Sequence, residues 1–311
     1  MMQRLVLGFI ACALMTACSS TTPRANRSHP TTAPADIVYG KGTNQTIWVN
    51  PPPPHLLPTG MTHHTYFSQS MGHDVGYCIY LPPAYSKHRD QRFPVIYDLH
   101  GTNRNELHGM LAAQVLQEGI VARKWPDVIM VFPNGGIHSS YLDWPDSAAP
   151  GGKVMAETTT IRELIPHIDQ TFRTISSREG RCIEGFSMGG MGAMYLAFKY
   201  PDLFCSLFSQ AGNAINAADK PDSFGQLQKN LDQIKGKLRI QIFCGTKDAN
   251  HLPNLREMHQ TLIQSGVDHT YLEIENLRHD LPAMILQYRA IWFDYHIESL
   301  RRSGGLPAIA R

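Results

Sequence analysis

The sequence predicts an α/β fold in which helices cover both faces of a mainly parallel central sheet. Two observations support this prediction: β-rich runs alternate with helical stretches along most of the chain, and the strand-like run 94–99 is largely apolar. Such alternation gives a parallel sheet, and apolar strands belong to sheets covered on both faces. A chain of 311 residues that is 42% hydrophobic has enough apolar surface for one large core.

The predicted elements follow one another along the chain. Runs 64–71 and 75–81 flank a Gly-His-Asp turn, which predicts an N-terminal antiparallel hairpin. Further strands are expected at 94–99, 128–132, 181–184, 205–209, 238–244 and 270–274, and helices at 107–123, 158–172, 191–200, 224–235, 252–265 and 282–302. Pro166 is expected to bend the helix that contains it.

Residues 1–17 have the pattern of an export signal. Arg4 precedes an apolar run over residues 5–15, which is too short to span a bilayer. Residues 15–18 resemble the bacterial lipobox, although Met15 replaces the usual Leu. We therefore expect a lipidated Cys18 that holds the protein at a membrane surface of the cell envelope; simple cleavage and a retained leader are the alternatives. Ser19 is typical of outer-membrane sorting if the cell is Gram-negative; without lipidation the protein is expected to be periplasmic or secreted.

The remaining chain divides into three parts. Residues 18–45 are rich in Ser, Thr, Pro and Ala and predict a flexible tether. Residues 46–303 contain all the predicted strands and helices and form one α/β domain, and residues 304–311 are a C-terminal tail. Four cysteines fall within this domain, and their spacing favours buried free thiols over a disulfide framework: Cys78, Cys182, Cys205 and Cys244.

Charge and motifs exclude several function classes. The net charge is +2 and the longest basic run is Arg301-Arg302, so we expect no nucleic-acid partner. HExxH is absent, and His63 and His64 are adjacent in a β run and face opposite sides. Gly135-Gly136 lacks the third glycine of a dinucleotide-binding loop. We therefore expect neither a metal nor a cofactor.

The sequence Gly-Phe-Ser-Met-Gly-Gly at 185–190 contains the strongest catalytic pattern. It follows a predicted strand and opens a small-residue helix. In a strand–turn–helix of this type the serine sits on a very tight turn, where flanking side chains would collide and glycine is needed. Ser187 is therefore the candidate nucleophile.

A serine nucleophile needs a base, and the base needs an orienting acid. Asp248 lies in the loop after strand 238–244, and His279 lies in the loop after strand 270–274. Both would reach the carboxyl edge of a parallel sheet, together with Ser187. Other histidines are weaker candidates because they precede a strand or lie on or beside helices; they are His251, His259, His269 and His296. Asp280 cannot easily reach the far ring nitrogen of its neighbour His279.

The same edge offers backbone donors for an oxyanion. The N–H of Met188 follows the nucleophile, and the N–H of Thr102 lies in the loop after strand 94–99. Gly101 lets that loop approach the substrate closely. His100 is interpreted as packing beside the site.

These motifs resemble the esterase D family of α/β-hydrolases, which includes S-formylglutathione hydrolases, feruloyl and acetyl-xylan esterases and mycolyltransferases. The matching stretches are 80–85, 93–101, 163–169 and 185–190, and the resemblance covers about residues 65–300. It implies an α/β-hydrolase fold and ester hydrolysis without a cofactor. It also implies a nucleophile at Ser187, an acid at Asp248, a base at His279 and oxyanion donors at Met188 and Thr102.

Residues 134–144 are similar to the loop that lines the active-site cleft in feruloyl esterases and mycolyltransferases. Tyr141 and Trp144 would then cover an acyl or aryl group or stack on a sugar ring. A packed surface loop is the alternative.

Three functions follow from these patterns. The leading one is a serine esterase, tethered to the cell envelope, that hydrolyses small-molecule or glycan-linked esters. The second is acyl transfer to a sugar or glycan hydroxyl, which uses the same residues. The third is a non-catalytic envelope protein on a hydrolase scaffold, but such a scaffold would be expected to have lost one of the three side chains.

Overall fold

An eight-stranded sheet forms the centre of the protein in the computed structural model, which describes residues 46–146, 152–215 and 222–308. The strands are β1 (Met61–Ser68), β2 (His73–Tyr80), β3 (Val95–Leu99), β4 (Ile129–Pro133), β5 (Asp143–Trp144), β6 (Val154–Met155), β7 (Arg181–Phe186), β8 (Ser206–Gln210), β9 (Arg239–Gly245) and β10 (Thr270–Ile274). The central sheet has the order β1-β2-β4-β3-β7-β8-β9-β10, and β5 pairs separately with β6.

The pairing directions confirm the predicted fold class. β1 and β2 form an antiparallel hairpin, and β2 is also antiparallel to β4. Every other pair of neighbours in the central sheet is parallel. β3, β4 and β8 are buried along their whole length, as expected for strands covered by helices on both faces.

The helices lie between and after the strands. They are α1 (Ala84–Lys87), α2 (Met110–Val121), α3 (Ala156–Thr158), α4 (Ile165–Thr171), α5 (Met188–Lys199), α6 (Ser223–Lys229), α7 (Leu231–Ile234), α8 (Leu252–Gln264) and α9 (Leu281–Ser303). The predicted helix 158–172 is interrupted: a π-helical segment, Thr159–Leu164, separates α3 from α4. Pro166 lies in the first turn of α4, where its missing N–H is tolerated, so it helps to start a helix instead of bending one. The predicted helix 224–235 is also divided, into α6 and α7.

The parallel strands place their carboxyl ends at one edge of the sheet. The loops after β3, β7, β9 and β10 leave from this edge, and they carry Gly101, Ser187, Asp248 and His279. β3 and β7 are direct neighbours, as are β9 and β10, and β8 separates the two pairs. The sheet order therefore brings together four positions that lie far apart in the chain.

Two other features concern the predictions above. Within the described part of the chain, no helix has both the length and the apolar character needed to cross a membrane. Cys78, Cys182, Cys205 and Cys244 are buried free thiols. The predicted signal and tether over residues 1–45, with Cys18, lie outside the described residues, as do residues 309–311 of the tail.

Candidate active site

Ser187 occupies the sharp turn between β7 and α5. Its backbone has φ 56° and ψ −120°, a conformation that side chains larger than glycine rarely adopt and that costs about 1–3 kcal/mol. Its N–H donates to the carbonyl oxygen of Gln210 on β8 at 2.9 Å. The turn is thus held by the neighbouring strand, and it presents the hydroxyl at the sheet edge.

The flanking glycines are required by close backbone contact. A Cβ on Gly185 would overlap the backbone of Gly189, and a Cβ on Gly189 would overlap the carbonyl oxygen of Leu99. The first turn of α5 therefore lies directly against the end of β3. This contact is the physical reason for the Gly-x-Ser-x-Gly spacing in this chain.

His279 and Asp248 are joined by a hydrogen bond. His279 Nδ1 donates to Asp248 Oδ2 at 2.6 Å. The Asp248 side chain is 2% exposed, whereas that of His279 is 32% exposed and borders a surface cavity of about 550 Å³. A carboxylate that accepts from Nδ1 leaves Nε2 as the proton-accepting nitrogen of a neutral imidazole.

The environment sets the ionisation of this pair. Partial burial alone would raise the pKa of Asp248, but hydrogen bonds from His251 and His279 outweigh it and lower that pKa below its ordinary value. Burial lowers the pKa of His279, against the opposing effect of Asp248. The carboxylate is therefore ionised and the imidazole neutral near pH 7, which is the state that a general base requires.

The His279 ring lies beside the serine turn. Its centroid is 4.4 Å from that of Phe186, the residue before Ser187. Among the described residues, no hydrogen bond joins the Ser187 hydroxyl to His279. Without a substrate, such bonds are often long and tighten only in the complex.

Two backbone donors lie next to Ser187. The Met188 N–H is the first of α5 and has no acceptor within the helix. On the other side, a Cβ on Gly101 would lie 3.4 Å from Ser187 Cβ, so the loop that carries Thr102 runs directly past the hydroxyl. The Thr102 N–H has no hydrogen-bond acceptor among the described residues. These are the positions predicted for an oxyanion hole.

His100 and Tyr141 support the loop that carries Thr102 from its buried side. Both side chains are fully buried, and the His100 N–H donates to the Tyr141 hydroxyl at 2.9 Å. The Gly135 N–H donates to His100 Nε2 at 3.0 Å, so Nδ1 carries the ring proton and donates to the Gly101 carbonyl oxygen at 2.9 Å. The His100 ring is therefore a neutral spacer between two loops, in agreement with its predicted packing role.

The two aromatic residues of loop 134–144 differ in exposure. Tyr141 has no accessible surface with which to cover a ligand, which corrects its predicted role as a substrate-binding side chain. Its ring fills the space beside Gly135 and Gly192, where any added side chain would collide with it. Trp144 is partly buried, and its Nε1–H donates to the Ser139 carbonyl oxygen at 2.9 Å. Its predicted contact with substrate stays a prediction.

The structure adds His251, which sequence reasoning set aside. His251 Nδ1 donates to Asp248 Oδ1 at 2.7 Å, and its ring stacks on that of His279 at a centroid distance of 4.2 Å and an angle of 8°. Asp248 thus accepts from two histidines, one on each oxygen. A signal existed in the sequence, because residues three apart at a helix start face the same side.

The same three side chains carry atoms of the kinds that bind metal ions. One possible ligand atom each from Asp248, His251 and His279 lies within 4.8 Å of the others, the one such group among the described residues. However, the two rings are almost parallel, so their in-plane lone pairs lie in separate planes and do not converge on one ion. The geometry suits a hydrogen-bonded cluster better than a metal centre. The expected absence of a metal stays a prediction.

Comparison with known proteins supplies the family. The Esterase family model matches residues 68–281, about two thirds of the chain, and the matched range includes Ser187, Asp248 and His279. The chain belongs to the Esterase family. Esterase Rv1288 of Mycobacterium tuberculosis (strain ATCC 25618 / H37Rv) is 32% identical over 155 residues, 49% of this chain and 32% of that protein. The chain thus spans about a third of the length of this curated relative.

Solved structures agree on the fold. An S-formylglutathione hydrolase from Agrobacterium tumefaciens has a TM-score of 0.62 at 19% identity and covers 77% of this chain and 95% of its own. A ferulic acid esterase from Anaeromyces mucronatus, in complex with ferulic acid, has a TM-score of 0.60 at 18% identity over 77% of this chain and 89% of its own. These likenesses confirm the predicted fold, and the family match together with the curated relative confirms the resemblance predicted from the motifs. The matched region of this Esterase family member is a carboxylic-ester-hydrolase domain.

Proposed function

We propose that this Esterase family member hydrolyses carboxylic esters through an acyl-enzyme on Ser187, with His279 as general base and Asp248 as the acid that orients it. The observation that carries this proposal is the hydrogen bond from His279 Nδ1 to Asp248, formed beside the Ser187 turn. It fixes the tautomer in which Nε2 accepts a proton. The strained turn supports the proposal further, because such strain is concentrated at functional sites.

The reaction follows from these roles. Ser187 Oγ forms a bond to the ester carbonyl carbon while His279 Nε2 takes the hydroxyl proton. The carbonyl electron pair moves onto oxygen, and the N–H groups of Met188 and Thr102 donate to that oxyanion. When the intermediate collapses, the alkoxide leaves and takes the proton from His279. Water then repeats these steps on the acyl-enzyme, which releases the acid and restores the Ser187 hydroxyl.

Ser187→Ala tests the nucleophile. This variant is expected to lower kcat for p-nitrophenyl acetate or butyrate by on the order of 10⁴-fold or more, because the acyl-enzyme cannot form. A fluorophosphonate probe should label the full-length parent and leave the variant unlabelled. Equal labelling of both proteins would exclude Ser187 as the nucleophile.

The proposed substrates are small acyl and aryl esters. His279 borders a cavity of about 550 Å³ whose other lining residues belong to the loops after β9 and β10, and its side chain is 32% exposed, so an ester can reach its ring from solvent. Hydrolysis and transfer to a sugar hydroxyl differ only in the nucleophile that reaches the acyl-enzyme. Product analysis with and without a polyol separates them, since hydrolysis gives the free acid alone and transfer gives a new ester.

We also propose that the enzyme is held at the cell envelope through a lipid on Cys18. The lipobox-like residues 15–18 and the short apolar run before them support this proposal. Cells fed a fatty-acid analogue with a clickable group should label the full chain and should not label Cys18→Ser. Equal labelling of the two chains would overturn this part of the proposal.

A further inference from the structure

The starting observation is that Asp248 accepts two histidine hydrogen bonds. A carboxylate held by His279 alone can rotate about its Cβ–Cγ bond, whereas a second donor on the other oxygen fixes its plane. His251 provides that donor at 2.7 Å from Oδ1, while His279 donates to Oδ2 at 2.6 Å. The Asp248 side chain is 2% exposed and that of His251 is 20% exposed, so both bonds are largely shielded from water.

The second observation is that the His279 ring is confined on two sides. The His251 ring stacks on it at 4.2 Å and 8°, and the Phe186 ring lies 4.4 Å from it at 33°. His251 is the residue directly before α8, and its N–H donates to the Asp248 carbonyl oxygen at 3.3 Å. The His251 ring, at the start of α8, therefore contacts both the proposed acid, Asp248, and the proposed base, His279.

We propose that His251 is a positioning residue for the reaction: it fixes the plane of the Asp248 carboxylate and the orientation of the His279 ring. This inference rests on the proposed function of Ser187, Asp248 and His279. It does not place His251 in contact with substrate. No family motif quoted above includes this position.

Electrostatics couple His251 to the ionisation of His279. Repulsion from the His251 imidazole, whose ring lies 4.2 Å from that of His279, contributes to the low pKa of His279 in the free enzyme, after the larger effect of burial. The other charged groups at this site are Asp248, which accepts from both rings, and Lys247 and Arg278, which line the cavity.

The pH profile of kcat/KM in the full-length chain gives the first test. Its acid limb reports the pKa of His279 in the free enzyme, which repulsion from His251 helps to lower. In His251→Asn this repulsion is absent, so the acid limb should move to higher pH. His251→Phe should move it in the same direction, which keeps the test usable if one of the two variants does not fold. A merely structural His251 predicts an unchanged acid limb in folded variants, and that outcome overturns the proposal.

Two substitutions separate the effect of the hydrogen bond to Asp248 from that of ring stacking on His279. His251→Asn places an amide N–H where Nδ1 lies and keeps the bond to Asp248; its kcat at pH 8 should stay within a few-fold of wild type. His251→Phe keeps a ring against His279 but removes the hydrogen-bond donor to Asp248. Its kcat should fall by about tenfold or more, with KM little changed, because losing a hydrogen bond to a charged group typically costs about a factor of ten. Equal kcat in all three proteins would contradict the positioning role.

Controls distinguish this proposal from the proposed function. His259→Asn changes a histidine within α8, the helix that His251 precedes. His259 contacts His269 and Tyr271 instead of the active site, so this variant should leave both kcat and the acid limb unchanged. Ser187→Ala is measured in parallel. If that variant keeps full activity, the proposed function fails. If it is inactive while the His251 variants behave as wild type, only the role of His251 fails.

Discussion

The Tyr141 hydroxyl accepts the backbone N–H of His100, and neither group reaches solvent. Tyr141→Phe would leave this N–H buried without an acceptor, which costs about 1–3 kcal/mol in the free energy of unfolding. Urea denaturation measures the difference. Tyr271→Phe is the matched control, because its hydroxyl donates to Glu273, whose side chain is 25% exposed and has water as a replacement partner. Equal losses in the two variants would contradict the proposed support of the loop by Tyr141.

Thr102 is expected to act through its backbone, so only a change that removes its N–H tests the oxyanion hole. Thr102→Pro removes the donor and should lower kcat by roughly 10²–10³-fold, the usual effect of losing one such donor. Thr102→Ala keeps the N–H and should retain nearly full activity. Both variants are checked for unchanged thermal unfolding. A folded Thr102→Pro with wild-type kcat would show that this N–H does not stabilise the transition state.

Only some of the residues at the site could be predicted from the sequence. Ser187 and His279 are identifiable because each follows a predicted strand in a recognisable order. The role of Tyr141 is not identifiable in this way, because it depends on a hydrogen bond to a distant loop. For His251, the spacing of three residues from Asp248 is a local signal, but its stacking on His279 is not. The resemblance of loop 134–144 to a cleft-lining loop predicted a substrate contact for Tyr141, with a packed loop as the alternative, and its side chain is buried. An aromatic side chain in a loop has no local signal that tells packing from ligand contact.

At the scale of elements, the first turn of α5 lies against the end of β3. Gly189→Ala would force a methyl group into the Leu99 carbonyl oxygen, which belongs to a buried strand and cannot move aside. We expect a loss of at least about 4 kcal/mol in the free energy of unfolding, or failure to fold. Ala193→Gly, in the same helix, removes a methyl group and should cost about 1–2 kcal/mol. A Gly189→Ala protein as stable as wild type would contradict the close contact, as measured by thermal unfolding.

Strands and long helices were predicted better than interrupted ones. The strand positions follow from apolar runs that alternate with helical stretches, and the predicted strands are present near their expected positions. The helix expected at 158–172 is divided by a π-helical segment next to Pro166. Hydrophobic periodicity cannot detect such a segment, because it changes the hydrogen-bond spacing over only six residues. Asp280, which the sequence predicted not to be the acid, caps α9 with its side chain by accepting from the Ala283 N–H at 3.0 Å.

At the scale of the whole molecule, buried histidines make stability depend on pH. Burial, with a smaller effect of His108, lowers the pKa of His100 from 6.5 to about 3. The unfolded chain therefore binds a proton below about pH 6.5 that the folded chain does not bind. Stability is greatest above this pH and falls as pH decreases towards 3. Glu184, whose pKa burial raises, acts in the opposite direction above about pH 4.5.

Urea midpoints between pH 7 and pH 5 measure this dependence, because carboxylates with ordinary pKa values hardly titrate there. Wild type is expected to lose stability as the pH falls through this range. His100→Gln keeps an acceptor for the Gly135 N–H but cannot titrate, so its midpoint should change less steeply with pH even if the variant is less stable throughout. Identical slopes for the two proteins would contradict the buried neutral state of His100.

The sequence by itself determined the fold class, the Gly-x-Ser-x-Gly turn and the order of Ser187, Asp248 and His279. These features are local: strand and helix periodicity, glycine spacing and the residue that follows each strand depend on chain neighbours. Only the tertiary structure decided that Asp248 accepts from two histidines, that Tyr141 supports the Thr102 loop, and that His279 lies between Phe186 and His251. Except for the bond between Asp248 and His251, which lie three residues apart, these contacts join loops that are distant in the chain. Their geometry is set by sheet order and by side-chain packing, which no local pattern encodes.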